Sequence, residues 1–199
     1  MKTHIIIAGI PRAGKSTASE WIAKKLGYQH ISMDSILAGL ERAFQEAGID
    51  TAADVDTAMN LQRISSKIAP FIRAMMDSGE YDERDYGMVI DVFQLLPADY
   101  VQSIDAAVCS IHYFITPDVT PEERYELLKR HDTPRDYTFY QSDDEKRRDS
   151  KEIVEISQYI KEQCVLHQLP YYETAHNREQ VILDLLKRLE DENDSDRSA

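Results

Sequence analysis

Cysteine is scarce in this sequence, and basic charge runs short. The 199 residues hold two cysteines, Cys109 and Cys164, far apart and in apolar surroundings. No Cys-x-x-Cys or Cys/His spacing accompanies them, which argues against a disulfide framework or a zinc site and reads both as buried thiols. Lys and Arg number 23 against 36 Asp and Glu, a formal charge of −13. A broad basic face for nucleic-acid backbone or anionic lipid is therefore not expected, and any basic residues with such work must be gathered locally. Long apolar runs are also missing. Ile5 to Ala8 is too short for a signal-peptide core, and nothing reaches the roughly 18 residues of a membrane span, so a cytoplasmic location without a membrane partner is expected.

What is present is a globular composition, 42% hydrophobic and 30% charged, at a length that suits one domain. His4 to Ala8 is a β-branched run stopped by Gly9, the pattern of a strand buried in a parallel sheet. From Lys15 to Leu26, Ala18, Trp21, Ile22 and Leu26 share a helical face, with Gly27 as the stop. His30 to Met33 reads as a second strand, followed by a helix through Ala47 that Gly48 ends. Asp54 to Met76 is a long helical stretch, with Pro70 as a kink or break. Met88 to Phe93 is a third strand carrying Asp91, Pro97 to Ile104 a short helix, and Ala107 to Ile115 a fourth strand. Thr120 with Glu123, and Ser142 with Glu145, stand at capping-box spacing and predict two helix starts, the second helix running to about His167. Tyr171 to Thr174 is a fifth strand and Asn177 to Leu189 the last helix. Residues 190–199, acidic and polar, are expected to be disordered. Strands alternating with helices imply βαβ units and a parallel sheet covered on both faces. The Arg130 to Gln141 stretch interrupts that alternation and is a candidate mobile loop.

Gly9-Ile-Pro-Arg-Ala-Gly14-Lys15-Ser16 matches G-x-x-x-x-G-K-[ST] at every fixed position and lies between a predicted strand and a predicted helix. Such a loop turns backbone N–H groups around a polyphosphate at the positive end of the helix dipole. Gly9, Pro11, Arg12, Ala13, Gly14, Lys15, Ser16 and Thr17 are thus the candidate nucleotide-binding residues. Lys15 would reach the β- and γ-phosphates, and the Ser16 hydroxyl would ligate Mg²⁺.

On these residues the chain resembles the P-loop NTPases, and within them the small-molecule and nucleotide kinases similar to adenylate, shikimate and gluconate kinases. The likeness in organisation extends to about Leu189. It implies an α/β three-layer P-loop fold: a five-stranded parallel sheet of order 2-3-1-4-5 flanked by helices, within a single domain over 1–189 with a helical lid inserted at about 118–150. ATP and Mg²⁺ are the cofactors it implies. Asn/Thr-Lys-x-Asp and Asp-x-x-Gly motifs of GTPases are not found.

The resemblance also suggests roles. An Asp in the place of Asp34, after the second strand, contacts the acceptor hydroxyl and can take its proton; the alternative is a helix N-cap. Asp91 has the form of a Walker B carboxylate holding Mg²⁺, or is an ordinary polar strand end. Lid arginines neutralise charge in phosphoryl transfer, with Arg130 and Arg135 the favoured candidates, and Arg147, Arg148 and Arg124 further ones. Arg73 could grip an anionic acceptor, or belong to a solvated face. Ala175 to Arg178 occupies the position of the loop against the base. His30 and His112 read as satisfied core or edge residues. The function expected is an ATP- and Mg²⁺-dependent phosphotransferase acting on a hydroxyl of a small, anionic metabolite. The alternatives are a nucleoside monophosphate kinase and a nucleotide-binding regulatory or toxin-like module, and nucleic acid is not an expected partner.

Overall fold

A computed structural model describes residues 4–50, 57–78 and 87–197. Five strands, β1 (His4–Gly9), β2 (Gln29–Ser32), β3 (Met88–Val92), β4 (Cys109–Ile115) and β5 (Tyr171–Glu173), form one parallel sheet ordered β2-β3-β1-β4-β5. This is the order expected. β1, β3 and β4 are buried along their whole length, in keeping with the Ile and Val of β1 and β3 and the aromatic Tyr113 and Phe114 of β4: both sheet faces are covered. Each fully buried Ile or Val in those strands contributes about 1.5–3 kcal/mol.

Among the described residues, seven α-helices flank the sheet: α1 (Lys15–Leu26), α2 (Met33–Ala43), α3 (Thr57–Met76), α4 (Pro97–Ser103), α5 (Pro121–His131), α6 (Asp143–His167) and α7 (Arg178–Arg197). α1 packs on β3, β1 and α7, and α6 on β4, α4 and α5. Both capping boxes are formed. Thr120 N–H donates to Glu123 Oε2 at 2.7 Å and Glu123 N–H to Thr120 Oγ1 at 3.2 Å. Ser142 and Glu145 exchange the same pair at 2.7 and 3.3 Å. Both cysteines are buried thiols.

Four expectations change. The inner face of α1 is Ala18, Ser19, Ile22 and Ala23, while Trp21 stays exposed; small side chains let the helix approach the sheet closely. α2 stops at Ala43, and a separate 3-10 turn over Gln45–Ala47 carries the chain to a left-handed Gly48. Pro70 sits inside α3 without ending it, because buried Ile68, Ala69 and Ile72 hold the helix to the core on either side. The start of that helix at residues 54–56 lies outside the described residues. The acidic segment after Leu189, expected to be disordered, continues α7 as far as Arg197. Buried Leu185 and Leu189 anchor it, and the Lys25–Glu190 ion pair at 3.0 Å and Arg188–Glu192 at 3.7 Å support its next turn.

Candidate active site

The loop between β1 and α1 sits at the carboxyl edge of the central strand. Gly9 ends β1 at φ 119°, and a Cβ there would lie 2.1 Å from the Phe114 carbonyl oxygen. The next amide, Ile10 N–H, donates to that same oxygen at 3.1 Å. Gly14, at φ 95°, is the left-handed N-cap of α1 and supplies no capping side chain. The first-turn amides of α1 therefore have no intrahelical partners and can receive an anion. A Cβ on Gly14 would meet Arg178 Cδ at 2.5 Å, so the Arg178 stem lies across the loop.

Lys15 is buried, and its Nζ donates to the Ile10 carbonyl at 2.8 Å, spanning the loop. Burial pulls its pKa down, while Asp91 and Asp34 pull it back up. Ser16 and Thr17 are exposed on the first turn of α1. Asp34 is exposed in the first turn of α2, where Ser32 is the N-cap residue. Asp34 is thus not the cap of its helix. It accepts a long hydrogen bond, 3.5 Å, from the Gln94 side-chain amide. Asp91 is buried in β3, in register with Ile7 of β1 and Ser32 of β2. Its Oδ2 pairs with His30 Nε2 at 3.1 Å, so His30, on the edge strand β2, is satisfied as expected and stands beside Asp91.

The arginines divide differently from expectation. Arg130 and Arg135 are exposed. Arg147 pairs with Glu122 at 3.1 Å and lies over the Tyr125 ring, and Arg73 is tied to Asp77 one turn on. Arg12 is held by Asp132 and Asp136. The arginine set against the loop is Arg124 of α5, 4% exposed, whose Nη2 donates to the Pro11 carbonyl at 2.7 Å. Burial pulls its pKa down to about 10. Among the described residues no carboxylate forms an ion pair with it or with Lys15, and its Nε has no partner. Arg124 and Arg178 face a cavity of about 70 Å³, walled also by Arg12, His131 and Ala175. Gln94 carries no local sequence signal, since it meets Asp34 across 60 residues; Arg178 stands in the loop that the sequence singled out, but its crossing of the phosphate loop is not local.

The donors fit the groups that such a loop takes. Two buried cations and free helix amides suit a polyphosphate. The Ser16 hydroxyl and the Asp91 carboxylate are hard oxygen donors of the kind Mg²⁺ accepts alongside phosphate oxygens and water. No cluster of three or more side-chain metal ligands occurs among the described residues, and none of their helices is long and apolar enough to cross a membrane.

No family model matches the sequence, and no curated protein sequence does. Solved structures do match, and they are P-loop small-molecule kinases. Shikimate kinase from Bacteroides thetaiotaomicron superposes with a TM-score of 0.52 at 18% identity, covering 94% of this chain and 98% of that one. Shikimate kinase from Acinetobacter baumannii, in complex with shikimate, gives 0.50 at 14% identity over 94% and 95%. Dephospho-CoA kinase from Campylobacter jejuni gives 0.50 at 15% over 97% and 100%. The chain shares the fold of these kinases over most of its length.

Proposed function

We propose that the protein is an ATP- and Mg²⁺-dependent phosphotransferase that moves the γ-phosphoryl group to a hydroxyl of a small metabolite. The observation that carries this reading is the pair of buried cations, Lys15 and Arg124, set against a glycine-framed loop with no carboxylate within ion-pair distance of either among the described residues. An isolated buried charge is expensive. Residues kept in that condition beside open helix amides are complementary to an anion that arrives from outside. The likeness in fold to kinases supports phosphoryl transfer as the use of that anion.

In this reading Lys15 Nζ leaves the Ile10 carbonyl for the β- and γ-phosphate oxygens, and the amides opening α1 hold the rest of the chain of phosphates. Arg124 and Arg178 stand beside the loop where the phosphates would lie. Ser16 and Asp91 would hold Mg²⁺, which supplies charge neutralisation to the transferring group when bound. His30 keeps the Asp91 carboxylate oriented. Asp34, steadied by Gln94, accepts the proton of the acceptor hydroxyl as the new P–O bond forms.

We place the acceptor in the cavity of about 610 Å³ between α3 and α6. Its floor, Leu96, lies two residues beyond Gln94, and its wall combines apolar Met59, Ile156 and Tyr159 with Arg148 and Lys151. Arg148 and Lys151 are themselves paired with Asp149 and Glu155, and Glu152 and Glu155 line the same cavity, so its wall carries no surplus positive charge and the acceptor is met mainly by its apolar side.

The test is ADP release in a coupled assay over sugars, sugar acids, nucleosides and nucleotides, with Lys15→Ala as blank. Acceptor-dependent ADP release is expected, lost in the blank and lowered about 10²–10⁴-fold by Asp34→Asn, the range for a general base. Release of ADP at the same rate from the Lys15→Ala protein would overturn the assignment. So would full activity in Asp34→Asn, for the role of that carboxylate.

A further inference from the structure

A cation inside a phosphate loop invites assignment as a phosphate ligand, yet Arg12 is engaged elsewhere. Its backbone is left-handed at φ 61°. One terminal nitrogen of its guanidinium donates to Asp136. The other donates to Asp132 Oδ1 at 3.2 Å and to the His131 carbonyl at 3.3 Å. The Asp132 side chain is 3% exposed, and its second oxygen faces Lys146 Nζ, itself nearly buried, at 2.9 Å. Thr138 Oγ1 donates to Asp132 Oδ1 at 2.5 Å. Asp136 in turn receives Thr133 N–H and Oγ1–H, each at 2.8 Å.

Asp132 therefore joins four parts of the chain: the phosphate loop, the end of α5, the 3-10 turn over Tyr137–Tyr140, and the first turn of α6. The cluster is also self-neutralising, since Arg12 and Lys146 balance Asp132 and Asp136. Its charges are paired across elements, and both terminal nitrogens of Arg12 are taken, while its Nε, like that of Arg124, has no partner among the described residues. Arg124 differs in having no ion pair among those residues.

We propose that Arg12 and Asp132 are positioning residues, a junction that fixes the 132–141 segment onto the phosphate loop, and that Arg12 is not a ligand of the phosphates. The proposal rests on the phosphotransferase reading only in taking the loop as the phosphate site. The segment it fixes follows directly on the α5 face carrying Arg124 and His131, so the junction sets how that wall stands over the loop. Breaking it releases the segment while Lys15, Arg124 and the α1 amides remain to hold the nucleotide.

The test is a double-mutant cycle of Arg12→Ala and Asp132→Asn, read as the rate of chymotrypsin cleavage at Tyr137, Phe139 and Tyr140 without nucleotide. Alongside it, ATP affinity is measured by calorimetry. Each single variant is expected to speed cleavage at least tenfold. The double variant is expected to fall within threefold of the faster single, where independent sites would multiply to about a hundredfold. ATP affinity is expected to change less than threefold in Asp132→Asn, and Arg12→Lys is expected to restore much of the protection.

The proposal is overturned if Arg12→Ala weakens ATP at least thirtyfold while Asp132→Asn binds ATP as well as the parent, or if the cleavage rates multiply. Should Asp132→Asn fail to fold, Asp136→Asn, at a more exposed corner of the junction, completes the cycle under the same criteria. A parent protein that binds no ATP would remove the proposed function. The cleavage cycle would still decide the junction.

Discussion

Arg124→Met separates a residue kept for a ligand from one kept for the fold. Burial holds the Arg124 guanidinium at a pKa of about 10, against a usual value above 12. Each factor of ten in that proton equilibrium is worth about 1.4 kcal/mol, so the fold carries this charge at a disadvantage of about 3 kcal/mol. A folded-state pKa below the unfolded one in a basic group means that the unfolded chain holds the proton more tightly. The disadvantage is therefore complete at every pH below about 10, and it is relieved only as pH rises from there toward the unfolded value. Methionine fills much of the same volume without the charge. It loses the bond to the Pro11 carbonyl, about 1 kcal/mol net. The balance is a gain of about 2 kcal/mol, or about 4–8 °C in Tm for a chain of this size.

ATP reverses the order. At a hundredfold excess over Kd it stabilises the parent by about 2.7 kcal/mol, and removal of a charge-assisted contact of about 1.5–3 kcal/mol cancels most of that. Differential scanning fluorimetry with and without ATP reads both halves. A variant that melts below the parent and keeps the full ATP shift would mean that Arg124 braces the loop and serves no ligand, and the argument from unpaired buried charge would fail.

Two further outcomes follow from local geometry. Gly9→Ala drives a Cβ into the backbone of β4, combining left-handed strain of about 1–2 kcal/mol with overpacking of about 1–3 kcal/mol; a Tm loss of about 5 °C or more is expected. In Gly14→Ala the Cβ meets only the movable stem of Arg178, so it is expected to cost less stability, and equal losses in urea unfolding would contradict the geometry. At the helix starts, hydrogen bonds from Thr120 and Ser142 hold the Glu123 and Glu145 carboxyls below their usual pKa. The two caps then contribute fully above about pH 4.3 and are lost as pH falls through the lowered values. NMR should show the Glu123 and Glu145 amides shifting in acid before the core unfolds, and a shift concurrent with global unfolding would count against it.

The parts that the sequence makes legible are those whose partners stand within a turn of each other. Thr120 finds Glu123, and Ser142 finds Glu145, over three residues, so spacing alone specifies each contact. The glycines of the loop are legible for a related reason: backbone conformation is a local property, and φ values of 119° and 95° select glycine wherever they occur. Trp21 shows where such rules fail. Helical spacing identifies a stripe, but depth of approach to the sheet chooses the small residues beside it. α7 beyond Leu189 fails for the mirror reason, since composition scores the acidic residues singly while the helix extends from an anchored turn.

The site's cations lie beyond any local rule. Arg12, Arg73, Arg124, Arg130 and Arg135 look alike in sequence, and what distinguishes them is burial, which Arg130 and Arg135 lack, together with whether a carboxylate meets them in three dimensions. Arg12 meets its carboxylates across 120 and 124 residues, and Arg73 meets one four residues on. Acidic residues outnumber basic ones 36 to 23. In such a chain, indiscriminate pairing would leave carboxylates over, not cations. A buried arginine and a buried lysine with no ion pair among the described residues are thus the less expected residue of that arithmetic, and both stand at the same loop. Asp91 and Asp34 act on Lys15, and Glu173 on Arg124, only beyond ion-pair distance, which leaves both cations able to meet an anion brought from outside, as the proposed function requires.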